Sequence, residues 1–448
     1  MIGCHFGRVF QVTVSGGSYQ EGLQATVQGV PPGMLLTEQE AYGDLLLRKP
    51  GADELSSPRK EPDLPIFYTG LNAADTIENA GNKNHTNGTP LTILIPNLDR
   101  HFIHVKQYQD TNRTPRPGHA SYASFVKYGP DDDAVGAGIF SGRYTAPIVA
   151  AGYVARKVLA ACGIRVFAFV REMAGVRGSD VDHAKAFESV EAFKRMRRDL
   201  DPFYQEVYVN GRVTPDMRFL EKARVFAEIE QEIDEIRERA PHLLPAQIED
   251  RYGVHAVVNC PDRKAAQAML EACNRITATG DSSGGVVEVV ATGVPVGLGE
   301  PVFAKLDAEL GRMLGIGAVK GVEVGAGFAV KDMTGIQSND AMHSSDGKVV
   351  FDSNNAGGIT GGLATGQPII VRLAVKPTPT IDKQQHTIDK YTLENKALAA
   401  ITRRDPTIVA RIWPVAESYM SLILLDNLII HYGYQALRSQ VEKAGAAR

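Results

Sequence analysis

The sequence predicts a mixed α/β protein, and three observations carry that expectation. Near the start, Phe10, Val12 and Val14 alternate and Gly16-Gly17 ends the run, so residues 6 to 30 read as short strands. Over residues 215 to 240, Phe219, Phe226, Ile229, Ile233 and Ile236 fall on one helical stripe with charged residues opposite. Strand-like and helix-like stretches then alternate through the 448 residues without a sustained repeat period. We expect one unit over residues 1 to 448, with residues 178 to 254 as an extended, largely helical insertion.

The elements follow in chain order. Residues 48 to 63 (RKPGADELSSPRKEPD) read as loop, because Pro, Gly, Ser and charge dominate them. The polar stretch 80 to 90 leads into an apolar strand from Leu91 to Ile95. Residues 145 to 161, rich in Ala, Val and Leu, read as a helix before a strand from Arg165 to Val170. A strand from Val286 to Ala291, a helix from Val302 to Leu314 and a strand from Pro368 to Val375 come next. The last long helix, about Val415 to Tyr432, has an apolar face broad enough to be mostly buried.

Composition narrows the class. With 44% hydrophobic and 22% charged residues the chain is ordinary globular protein. A formal charge of -4 argues against a nucleic-acid or membrane-surface binder. No apolar run approaches the roughly 20 residues that span a bilayer. Met1 to His5 lacks a signal peptide's basic and apolar regions, so a cytoplasmic protein is expected. Cys4, Cys162, Cys260 and Cys273 are far apart without CxxC spacing, which implies neither a metal site nor a disulfide framework.

The chemically suggestive features are glycine pairs and arginines. Gly284-Gly285, Gly357-Gly358 and Gly361-Gly362 flank apolar runs, where glycine serves either a turn or a close ligand approach. None has the spacing of a dinucleotide or P-loop motif. Lys376-Pro377-Thr378-Pro379-Thr380 leaves a strand with a lysine and two hydroxyls that can bind phosphate, or is an ordinary exit loop. Arg116-Pro117-Gly118-His119 puts an arginine and a histidine on one stiff turn. Read alone, these residues reach an α/β enzyme for a phosphorylated or carboxylated small molecule.

Longer stretches carry the reading further. They are Pro58 to Asp63 (PRKEPD), Arg116 to Ala120 with Lys127-Tyr128-Gly129, Gly280 to Glu288, Pro295 to Pro301, Ala318 to Glu323, Asn354 to Ile381, and Arg403-Arg404-Asp405-Pro406. In order and spacing they resemble the chorismate synthase family over most of residues 1 to 165 and 255 to 435. The resemblance implies a β-α-β sandwich, with sheets packed inside and helices outside, as a homotetramer. It also implies reduced flavin mononucleotide (FMN) as cofactor and 1,4-elimination of phosphate from 5-enolpyruvylshikimate 3-phosphate.

Residue by residue, the resemblance makes His119 an acid acting on the flavin and Asp405 a group assisting proton removal. Arg116, Arg143 and Arg403 match arginines that grip substrate anions. Ser141, Asp281, Ser283, Gly284, Ala356, Gly357, Lys376, Thr378 and Thr380 match the flavin region. Some positions depart from the family. Tyr19 stands where a second catalytic histidine is usual, and a phenol of reference pKa about 10 cannot be a cation near neutrality. Ile139 replaces an arginine, Tyr144 a glutamate, and Asp53-Glu54 put acids where an arginine is usual. These departures lead us to expect a divergent paralogue acting on a related shikimate-type compound. Ordinary chorismate synthase activity and a non-catalytic flavin-binding scaffold are the alternatives.

Overall fold

A computed structural model describes residues 2–51, 53–56, 59–99, 113–133, 135–241, 243–399 and 405–446. Two five-stranded antiparallel sheets organise the chain. The first holds β1 (His5–Phe6), β2 (Gln11–Gly16), β3 (Gly22–Gln28), β4 (Ile66–Thr69) and β5 (Leu91–Pro96), ordered β1-β2-β3-β5-β4. The second holds β6 (Arg165–Met173), β7 (Val176–Arg177), β8 (Gly285–Thr292), β9 (Val319–Val324) and β10 (Ile369–Val375), ordered β7-β6-β8-β10-β9. Val12 pairs with Val27 in the first sheet, and Phe169 and Arg372 both pair with Glu288 in the second.

The strand sequences show how each sheet is covered. Along β3, Leu23, Ala25 and Val27 are buried while the residues between them are not, so one face meets the core. In β6, Val166 to Arg171 is continuously buried, which requires cover on both faces.

The main helices are α1 (Glu38–Arg48), α2 (Thr145–Ala161), α3 (His183–Leu200), α4 (Phe219–Glu238) and α5 (Val409–Ala446). Helix α2 packs on β3 and β5 of one sheet and on β6 of the other, and α5 packs on α2, β6 and β8. The α+β class and the sandwich are thus as expected, but the two most apolar helices lie between the sheets and not outside them. A helix apolar over most of its surface, as α2 is through Val149, Ala150, Tyr153, Val154 and Leu159, must be covered on most sides. Helices α3 and Arg263–Ala278 also pack on β6, completing its cover.

Residues 178 to 254 contribute α3, α4 and the helix Pro245–Tyr252. On α4, Phe226, Ile229, Ile233 and Ile236 are buried against the body, while Phe219 is partly exposed with its ring 5.0 Å from that of Tyr68. The helix expected from Val302 to Leu314 is shorter: Leu306–Leu310 is α-helical and Gly311–Gly315 continues as a 3-10 turn. Leu306, Leu310 and Met313 are buried, whereas Val302 and Phe303 find no apolar surface and remain exposed. Among the described residues no helix is long and apolar enough to cross a membrane, and no His, Cys, Asp or Glu group could hold a metal ion.

Candidate functional site

One large cavity of about 1360 Å³ opens between the first sheet, the 114–145 segment and the start of α5. It brings together Tyr19, Arg116, His119, Ser141, Arg143, Lys376, Thr378, Thr380 and Asp405 of the residues expected from the sequence. Its apolar lining includes Val12, Ile148, Ile408, Ile412, Val415 and Leu422.

The turn 116–119 and the run 376–380 build one wall together. Gly118 adopts φ +71°, and its backbone passes so close that an added Cβ would sit 3.2 Å from Pro379. The Lys376 ammonium donates to the Gly118 carbonyl, and Arg116 Nη1 donates to Thr380 Oγ1 at 3.3 Å. His119 lies between these cations, with a buried Nδ1 that has no hydrogen-bond partner among the described residues. Burial first, then Arg116 and Lys376, pull its pKa down to about 4, so the ring is neutral near pH 7. Burial and then Lys320 also lower Lys376 from its ordinary value.

Asp405 sits beside this wall. Its backbone carbonyl accepts from Thr378 Oγ1 at 2.8 Å, and Arg411 Nη2 donates to its carboxylate at 2.6 Å. Asp281, Ser283 and Gly284 do not line the cavity but support the wall from behind. Asp281 pairs with Lys383 at 2.8 Å, and Ser283 N donates to the Pro406 carbonyl at 3.1 Å. A Cβ at Gly284 would lie 2.4 Å from the Val375 carbonyl oxygen.

Across the cavity, the 59–63 loop organises the arginines. Asp63 is fully buried and receives both Arg48, at 2.5 Å, and Arg143. Glu61, also buried, lies 3.4 Å from Arg59 and 3.6 Å from Arg143. Arg143 further donates to Asn97 Oδ1, so much of its donor capacity is already used inside the protein. Burial, and the neighbouring arginines, lower Arg48 and Arg143 to about 9, which leaves both charged at neutral pH. Arg59 donates to the Ser18 hydroxyl and carbonyl at 3.1 and 3.2 Å and lies 5.3 Å from the centre of the Tyr19 ring. Ser141 reaches Ser18 at 3.2 Å.

Several lining residues escaped the sequence reading: Arg48, Arg59, Lys127, Arg312, Lys320 and Arg411. Arg59 lies within PRKEPD, Lys127 within Lys127-Tyr128-Gly129 and Lys320 within Ala318 to Glu323, but none carried an assigned role. With them, nine basic residues among the described ones line the cavity against the acids Asp132, Asp133 and Asp405, and buried Asp63 and Glu61 offset part of that charge from behind. Such a cavity concentrates anions. Its volume exceeds the roughly 300–1,000 Å³ of a usual single-ligand site, leaving room for two ligands together.

Other expectations fall elsewhere. Ala356 and Gly357 lie outside this cavity, in a loop packed against Gly325; a Cβ at Gly357 would come 2.3 Å from Gly325 N. Arg403 lies outside the described residues. Glu54 is exposed and does not line the cavity, while Asp53 pairs with Arg197 at 3.3 Å. The acids at 53 and 54 therefore do not occupy the anion space. Tyr19 and Ile139 do line the cavity.

Comparison with known proteins agrees with the motifs. A family model described as chorismate synthase matches residues 10–429. A protein named chorismate synthase from Acetivibrio thermocellus is 38% identical, covering 99% of this chain and 98% of its own length. One so named from Methanosarcina mazei is 35% identical over 96% of this chain and 97% of its own. A solved structure titled "Crystal Structure of Chorismate Synthase" superposes with a TM-score of 0.60 at 22% identity, covering 95% of this chain and 92% of that one, a likeness of fold.

Proposed function

The chain belongs to the chorismate synthase family, and from that premise we propose that it converts 5-enolpyruvylshikimate 3-phosphate to chorismate with reduced FMN. The observation that carries this reading is the cationic cavity that brings His119, Arg116, Lys376 and Asp405 together on one wall. The elimination breaks one C–O bond, releasing phosphate with its electron pair, and one C–H bond, releasing a proton; a carbon–carbon double bond forms without net redox change. Negative charge therefore builds on the departing phosphate, where preorganised cations stabilise it most.

The donor set suits FMN. Lys376, Thr378, Thr380 and Ser141 present an ammonium and hydroxyls for its phosphate and polar edges, and the apolar lining suits a flat ring. When bound, reduced flavin supplies electron density to the breaking bond and a ring nitrogen as proton acceptor. Arg59 and Arg116 bind and orient the substrate anions, while Arg48, like Arg143, shares its charge with buried Asp63. His119, whose ring lines the cavity while its Nδ1 is buried, takes the acid role that the family resemblance implies, and Asp405, oriented by Arg411, assists proton removal.

The retained cations, and the placement of Glu54 away from the cavity, favour ordinary family activity over an altered substrate. Arg59 near Tyr19 supplies positive charge beside the position where a histidine is usual. We also infer self-association, because large apolar side chains such as Val296, Val302, Phe303, Phe328, Ile336, Met342 and Val349 are exposed. A homotetramer is the form we propose. A cytoplasmic location completes the reading.

An anaerobic assay with reduced FMN tests it, following chorismate by absorbance and phosphate in parallel. Equimolar chorismate and phosphate are expected. Saturable flavin binding with neither product would return the altered-substrate reading.

A further inference from the structure

We propose that the helices between residues 178 and 254 are working parts of the cavity, in which Arg197 and Arg237 are positioning residues. They seat Lys49, Gly51, Asp53 and Lys60, and with them the adjacent Arg48 and Arg59 that line the cavity. This rests on the reading of the cavity given above.

Four polar ties among the described residues join the two regions. Lys49 pairs with Asp201 just after α3, both side chains being buried, and also donates to the Tyr42 hydroxyl at 3.0 Å. Arg197 of α3 holds the Asp53 carboxylate at 3.3 Å. Arg237 of α4 donates to the Gly51 carbonyl at 3.0 Å, and Asp234 meets Lys60 at 2.5 Å. The last pair is exposed and stabilises little by itself.

Geometry at Gly51 links the outer tie to the cavity. Gly51 adopts φ +70°, and a Cβ there would lie 2.4 Å from the Arg59 carbonyl oxygen and 2.9 Å from Arg237 Nη1. Arg237, Gly51 and the Arg59 backbone are therefore stacked in contact, with no space for a side chain between them. Arg59 carries its guanidinium from that point to Ser18.

At the other end of the loop, Arg48 directly precedes the anchored Lys49. The Arg48 carbonyl accepts from Arg411 at 3.4 Å, and Arg411 holds Asp405. The helices thus reach two cavity arginines and, through Arg411, the Asp405 carboxylate.

A purely structural role makes a different prediction. If the helices only cover apolar surface, losing a tie lowers stability and leaves substrate affinity alone. Positioning moves KM, because a displaced charge-assisted contact weakens anion binding by about tenfold.

The chain's single tryptophan reports on the junction without any turnover. Trp413 is buried with its ring centre 6.1 Å from that of Phe193, beside a small void also lined by Asp53, Leu55, Arg197 and Arg411. The experiment compares Arg197→Ala, Arg197→Lys, Arg237→Ala and the control Arg212→Ala. Arg212 pairs with Glu232 at 2.7 Å within the helical region and makes no tie to the described residues of the loop.

Arg197→Ala and Arg237→Ala are expected to raise KM for 5-enolpyruvylshikimate 3-phosphate about tenfold, with kcat within about threefold. Arg197→Ala should shift Trp413 emission, and Arg197→Lys should recover part of both effects. Arg212→Ala should leave KM and emission at wild-type values. Wild-type KM in both alanine variants, with only the thermal midpoint lowered, overturns the inference. If Arg197→Ala does not fold, Arg237→Ala decides on KM alone.

If the wild-type chain makes no chorismate, the functional reading fails separately. Seating is then judged by Trp413 emission and by equilibrium dialysis of inorganic phosphate. Weakened phosphate binding in the folded variants supports seating, and unchanged binding overturns it.

Discussion

The run Lys376–Thr380 and the loop Asn354–Gly358 are close in sequence, and the family resemblance assigns both to flavin, yet this chain uses them differently. The first turns Lys376, Thr378 and Thr380 into the cavity. In the second, polar groups are used within the protein: Asn354 Oδ1 accepts from Gly358 N at 2.7 Å, and the Asp340 carboxylate accepts from Ala356 N at 2.8 Å. Gly357 sits at φ +63° against the Gly325 backbone, so there glycine provides close approach of chain to chain. Similar sequence signals thus serve an open wall in one place and a closed packing contact in the other.

The largest expected effect lies on the open wall. His119→Ala and Asp405→Asn should each lower turnover by roughly a hundredfold or more, as for positioned acid–base groups, with unchanged thermal midpoints. Steady-state kinetics beside a melting curve check this. Wild-type turnover in both variants would mean that the wall is not the reacting surface.

The packed loop should behave in the opposite way. Gly357→Ala forces a Cβ into the Gly325 backbone at a positive φ and should cost about 2–3 kcal/mol of stability. Turnover per folded molecule should change little. Urea unfolding and flavin titration separate the two: full stability with lost flavin affinity would make this loop ligand-facing and break the comparison.

The smallest effect is one of pH. Folded His119 keeps its proton off down to about 4, while an unfolded histidine takes one up near its reference value of about 6.5. The unfolded state binds more protons in that window, so stability falls as pH drops from about 6.5 to about 4. His119→Asn should remove that contribution, on the order of 1 kcal/mol, narrowing the difference between urea midpoints at pH 7 and pH 5. An unchanged difference would show that the cavity does not hold the ring neutral.

Much of the fold was legible. The apolar alternation of β3 and the continuous burial of β6 follow from side-chain period and from how many faces are covered. The α4 stripe was readable because helical spacing alone groups Phe226, Ile229, Ile233 and Ile236. The helix expected at Val302 was overextended, since periodicity cannot tell that Val302 and Phe303 stay exposed on this chain. At the site, the RPGHA and KPTPT motifs were visible separately. Arg48 and Arg411 carried no local signal, because their role depends on what surrounds them.

By itself the sequence determined the α+β class, the family, and the chemical character of the motifs, since these rest on local spacing and residue type. Only the tertiary structure decided which cations face open space and which are used up by buried acids. Arg116 meets Thr380 and Arg143 meets Asp63 across long stretches of chain. The physical reason is that charge acts through distance and dielectric, and packing sets both. The same packing buries Asp63 beneath two arginines and leaves Glu54 in water.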